Sequence, residues 1–105
     1  MGTVAGSITC ANAAEARKIA NALLRKRLVA CANILPKIES HYWWRGKITK
    51  SSEALLILKT RKSLMKKIIK EIKALHSYEL PVIEFFDSKM NKEAAAWIEK
   101  ETAKK

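Results

Sequence analysis

The stretch LVACANILPKIESHYWWRGKITKSSEALLILK, Leu28 to Lys59, decides the fold. Its first eight residues, Leu28–Leu35, are apolar nearly throughout, as in a strand covered on both faces. Pro36 has no amide hydrogen to give to a ladder, so it marks an edge, a bulge or a kink. The strand signal resumes at Ile38, His41, Tyr42, Trp43 and Trp44, and Arg45-Gly46 reads as a turn. Lys47–Thr49 leads back into a second buried strand, Ala54–Lys59. The expectation is a hairpin with two long arms centred on Gly46.

Upstream, Thr3–Thr9 (TVAGSIT) reads as a short strand. Asn12 and Glu15 stand at capping-box spacing ahead of a helix. In that helix Ala16, Ile19, Ala20, Leu23 and Leu24 recur at spacings of three and four, forming one apolar face, while Arg17, Lys18, Arg25 and Lys26 take the others. Downstream, Thr60 is expected to open a second helix, with Leu64, Met65, Ile68, Ile69, Ile72 and Leu75 inward and Lys62, Lys66, Lys70 and Lys73 in water. His76-Ser77-Tyr78 ends it, and Pro81 forbids its continuation. Val82–Phe86 is a fourth strand, and Asn91 caps a last helix with Ala94, Trp97 and Ile98.

The order β-α-β-β-α-β plus a C-terminal helix predicts an α+β, ferredoxin-like sandwich: one antiparallel four-stranded sheet with two helices on one face. Residues 1–105 read as a single domain, with no linker or repeat. The other sheet face has no helices to cover it, and the hairpin arms outrun what so small a sheet can pair. Unpaired edges are a liability. A ring of three copies closes such an interface without leaving an end, so the expected assembly is a homotrimer.

Composition bounds the function. Apolar residues make up 49% and charged residues 30% of the chain, which is that of a folded domain. Twenty-one Lys and Arg stand against ten Asp and Glu, a net charge of +11. This fits either a solvated Lys-rich surface or a polyanion (RNA) binding module; the spread of the cations along the chain favours the first. Cys10 and Cys31 lie in apolar stretches and form no CxxC pair, and no signal peptide is read, so reduced thiols in a cytoplasmic protein are expected. No apolar run approaches the ~18–20 residues of a transmembrane segment.

Five strings together carry a resemblance: LVACANI (Leu28–Ile34), SHYWWRGKI (Ser40–Ile48), LLILKT (Leu55–Thr60), HSYELPVI (His76–Ile83) and Trp97. In this order and spacing the chain resembles the CutA family of divalent-cation tolerance proteins, from about Thr9 to Trp97. The resemblance implies a trimer of ferredoxin-like subunits similar to PII signalling proteins. It also implies a link to tolerance of copper and other divalent cations, an association of animal relatives with anchoring a membrane enzyme, and no established catalytic reaction. Three positions depart from the family pattern: Arg45 stands where an acid is common, Ala94 where a Tyr is frequent, and Ser77 where a Pro follows the His.

Copper takes soft or imidazole ligands, which directs attention to His76 and Cys10, with His41 and Cys31 as further donors. No His or Cys pair has chelate spacing, and Leu75 replaces a second His found in some relatives, so the sequence does not indicate a tight site within one chain; His76 and a Cys meeting between subunits is the alternative left open. No cofactor is required on this reading; copper or another divalent cation is the candidate ligand. At a helix end, His76 is also explained by the helix dipole alone. Tyr42 and Trp44 share one side of their strand and Trp43 takes the other. They read as a trimer interface ahead of a stacking surface for bases, and nucleic acid is the less favoured partner. Cys31, Lys59, Tyr78 and Pro81 are expected to line an intersubunit cleft, with Lys59 needing an anionic ligand or one of Glu53, Glu79 and Glu84. No Gly-rich phosphate loop and no Ser/His/Asp constellation is present, so the chain is not read as an enzyme.

Overall fold

The computed structural model describes residues 2–102. Four strands, β1 (Thr3–Cys10), β2 (Cys31–Trp44), β3 (Lys47–Arg61) and β4 (Ile83–Asp87), join three helices, α1 (Ala13–Arg25), α2 (Met65–Leu75) and α3 (Lys92–Glu101). The sheet order is β2-β3-β1-β4, with every neighbouring pair antiparallel. This is the expected α+β sandwich. Ile8, Leu56 and Leu58 of the sheet meet Ile19 and Leu23 of α1 and Ile68 and Ile72 of α2, all fully buried. At Gly6 the sheet has no side chain because Phe85 lies over it: a β-carbon there would sit 3.1 Å from the Phe85 ring and 3.2 Å from the Glu84 carbonyl.

Helix α1 begins as its sequence dictates, with the Glu15 amide donating to Asn12 Oδ1 at 2.9 Å. It ends in a Schellman motif. Arg27 takes a left-handed φ of 59°, its amide donates to the Leu24 carbonyl, and the Leu28 amide donates to that of Leu23. Leu28 and Val29 thereby enter the core as connector, and β2 starts at Cys31 rather than Leu28.

Pro36 sits at a bulge: β2 gains one residue over β3 between the pairs Leu35–Leu55 and Ile38–Glu53. The hairpin closes at Arg45 (φ 52°) and Gly46 (φ 79°), the two positive angles that a two-residue turn of matching twist requires. Strand β1 accompanies β3 only as far as the Cys10–Ala54 pair. Beyond it, residues 47–53 and 38–44 pair with each other alone, a ribbon about 23 Å long at 3.3 Å per residue. The molecule is accordingly elongated, 44 Å against 25 and 22 Å.

Several boundaries differ from expectation. Thr60 does not open a helix; it continues β3 opposite Val4, and its buried hydroxyl donates to the Leu28 carbonyl at 2.6 Å. A 3-10 turn, Lys62–Leu64, then leads into α2. Strand β4 starts at Ile83, and Val82 stands exposed before it. Leu24 is exposed at the end of α1 rather than buried. Asn91 occupies the N-cap position of α3, but its side chain donates to Glu93 instead of capping the helix.

The alternation that sends Leu56 and Leu58 under the helices turns Leu55 and Ile57 to the opposite face, with Leu35 and Phe86 on the same side. Leu35 and Phe86 are exposed. At the hairpin tip Trp43 is 71% and Ile48 70% exposed.

Candidate functional site

His76 follows α2 as its C-cap, its amide still donating to the Ile72 carbonyl, after which the backbone extends away from the helix. That step turns the ring inward until its side chain is wholly buried. Nε2 lies 2.9 Å from the Thr9 carbonyl, and Nδ1 accepts the Tyr78 amide at 3.0 Å. A carbonyl only accepts, so Nε2 carries the proton and Nδ1 presents its lone pair to Tyr78.

Glu15, one turn into α1, closes the other side. Its Oε1 accepts the Ala11 amide and its Oε2 the Ser77 amide, each at 2.8 Å, so one carboxylate ties the start of α1 to the chain leaving α2. Burial alone would raise this carboxyl. The Ser77 hydroxyl, the Ala11 and Ser77 amides and nearby His76 outweigh burial and hold it below its usual range. Cys10 ends β1 beneath both. Burial foremost, and then the charges of Glu15 and Glu53, push its thiol up to about 12.

The ligand atoms of Cys10, Glu15 and His76 all lie within 4.8 Å of one another. Cys10 and His76, which have no chelate spacing in the sequence, therefore meet inside one chain, joined by a carboxylate. The donor types suit copper or zinc. Their lone pairs, however, are engaged: Nδ1 accepts the Tyr78 amide, Nε2 holds its proton toward Thr9, and the thiol keeps its hydrogen. A cation can enter only by displacing the Tyr78 amide and the Cys10 proton.

Tyr78 links this cluster to a second feature. Its ring packs against His76 with centroids 4.7 Å apart, and its hydroxyl donates to Glu53 Oε2 at 2.5 Å. Glu53 is only 6% exposed. Burial, together with this bond and the carboxylate charge, pushes the phenol well above its ordinary range. The pair floors a cleft of about 670 Å³ between the hairpin and the segment after α2, lined also by Tyr42, Trp43, Trp44, Leu80 and Val82. Arg45 lies over the Trp44 ring at 5.4 Å and reaches Glu79 at 3.2 Å across the cleft mouth.

The remaining predicted residues are placed elsewhere. Cys31 and Lys59 are directly opposed on β2 and β3, and both side chains reach Asn33 Oδ1 at 3.5 Å. Lys59 has no carboxylate partner among the described residues; Glu53, one of its three expected partners, belongs to Tyr78 instead. Six steps along β3, about 20 Å, separate Lys59 from Glu53. Pro81 lies between the cleft-lining Leu80 and Val82. One chain by itself thus does not gather Cys31 and Lys59 with Tyr78. His41 lies on the exposed hairpin, where it also lines the cleft and is bonded to Glu39 at 2.6 Å. Sequence reasoning missed Glu15 as a member of the cluster. Its signal was present in the Asn12–Glu15 spacing, which was read as purely local.

Residues 4–101 match the family model described as CutA1 divalent ion tolerance protein. The chain belongs to the CutA1 family. It is 41% identical over 91 residues to the divalent-cation tolerance protein CutA of Pyrococcus horikoshii, covering 86% of this chain and 88% of that one. It is also 41% identical over 76 residues to the chloroplastic CutA 1 of rice, covering 72% of this chain but only 43% of the rice protein. The chain thus spans under half the length of that CutA relative. The crystal structure of rice CutA1 superposes with a TM-score of 0.96 at 33% identity, over 100% of this chain and 97% of that one. The CutA1 fold, including the long hairpin, is shared throughout.

Proposed function

We propose that this protein serves divalent-cation tolerance as a homotrimer that binds a cation or small ligand and catalyses no reaction. The observation that carries this is the unfinished surface of the single subunit: a two-stranded arm ending in Tyr42, Trp43 and Trp44, beside a sheet face bearing Leu35 and Phe86. Aromatic and aliphatic side chains at such exposure are what an obligate interface consumes. In this reading Tyr42, Trp43 and Trp44 dock on neighbouring subunits. Cys31 and Lys59 of one subunit then approach Tyr78 and Pro81 of the next, and the cleft becomes intersubunit, with Lys59 finding its anion there. The free thiols of Cys10 and Cys31 support a reducing, cytoplasmic setting. Native mass spectrometry tests the assembly: three chains per particle are expected, and a monomer at micromolar concentration overturns it.

Copper is the cation that the thiol and imidazole suit, with Cys10 and His76 as ligands and Glu15 beside them. Because the Cys10 thiol must lose its hydrogen, binding there releases a proton. Calorimetry of Cu(II) in buffers of different ionisation enthalpy reads that proton. Loss of binding in Cys10→Ser is expected, and unchanged affinity in that variant rules the position out.

A further inference from the structure

The charge of this chain is not evenly mixed. Helices α1 and α2 lie side by side on one face of the sheet, bridged by the Lys26–Glu71 ion pair at 2.8 Å. Their outer surface carries Arg17, Lys18 and Arg25 from α1 and Lys66, Lys70 and Lys73 from α2, all exposed. Among the described residues none of these six has an acidic partner within ion-pair distance. Only two carboxylates belong to these helices. Glu15 is turned inward on backbone amides, and Glu71 is taken by Lys26. The other acids of the chain lie outside this layer, and on α3 Glu93, Glu99 and Glu101 alternate with lysines.

We propose that the outer face of α1 and α2 is a phosphate-binding surface for a nucleic-acid duplex, recognised through its backbone without base reading. This is independent of the metal and trimer readings above. The α2 stripe Lys66, Lys70 and Lys73 runs about 10 Å along the helix at 1.5 Å per residue, the length of about three base-pair steps at 3.4 Å. Neither helix contains Trp, Tyr or Phe, so the surface has no platform on which unpaired bases could stack; a duplex, with its bases already stacked, needs none. A membrane surface fits less well. The apolar stripe Leu64, Ile68 and Ile72 is spent in the core, leaving Leu24 as the one large exposed hydrophobic of this face to enter lipid.

The test is fluorescence anisotropy of a labelled 20-base-pair DNA duplex with the intact chain at rising salt. Four phosphates neutralised from among these six cations predict an affinity loss on the order of a hundredfold between 50 and 200 mM salt. Lys66→Gln/Lys70→Gln/Lys73→Gln should lower the slope of log affinity against log salt by about 2–3. Lys89→Gln/Lys92→Gln/Lys100→Gln removes the same charge elsewhere and should leave the slope unchanged. Glutamine keeps helix propensity, and thermal melting confirms that each variant is folded. The proposal is overturned by no binding at 20 mM salt, by equal effects of the two triple variants, or by capture on phosphatidylserine vesicles without duplex binding.

Discussion

The hydroxyl of Tyr78 donates to the carboxylate of Glu53 across 2.5 Å, fastening the segment after α2 to the point where the hairpin leaves the sheet. Tyr78→Phe removes the donor and leaves a carboxylate of 6% exposure without it. An unsatisfied buried acceptor costs roughly 1–3 kcal/mol, so chemical denaturation should show a loss in that range. In the unmodified protein the tyrosinate absorbance of Tyr78 should develop only above the ordinary phenol range, read as the difference between its titration and that of Tyr78→Phe.

Glu15 sets the acid limit. Its carboxyl titrates lower in the folded chain than in the unfolded one, so the unfolded chain binds the proton first. The stability it contributes is fully present above the ordinary glutamate range, about pH 4.3, and is lost as pH falls through the folded value. Glu15→Gln should be less stable at neutral pH and should lose less on acidification. Melting curves from pH 7 to pH 3 check both; parallel curves would refute the assignment.

Cys10 should be chemically silent. With its thiol at about 12, almost no thiolate exists near neutrality, and the side chain is buried. A Cys31→Ser variant leaves Cys10 as the sole thiol. A disulfide reagent should report no fast reaction in the native state and one thiol per chain in denaturant.

Gly6 is a packing position. In Gly6→Ala the new carbon meets the Phe85 ring at 3.1 Å and a backbone oxygen at 3.2 Å. The ring can shift, but the carbonyl is held in the β1–β4 pairing. A destabilisation of about 1–3 kcal/mol is expected, together with earlier amide exchange along β4.

The element order, the bulge at Pro36 and the turn at Arg45-Gly46 were legible because each rests on local chemistry: strand and helix periods, a missing amide hydrogen, a glycine at positive φ. Thr60 was misread because its role is tertiary. Its hydroxyl answers a carbonyl 32 residues away, which no local pattern encodes. The same limit governs the cluster. Cys10 and His76 were singled out by residue type, whereas their convergence depends on Glu15 bonding to Ser77, 62 residues further on. Glu53 stood as one of three carboxylates open to Lys59, yet it faces Tyr78 because the segment after α2 returns beside the hairpin base.

The hairpin beyond Ala54 has a kinetic consequence. A lone two-stranded ribbon is marginal in water, so its amides owe their protection to whatever docks on them. In the homotrimer proposed above, diluting the protein should therefore loosen the tip while the β1–β3 ladder stays closed. The exchange rate of the Trp43 and Ile48 amides becomes a concentration gauge built into the chain, reporting association locally before any spectroscopic sign of unfolding.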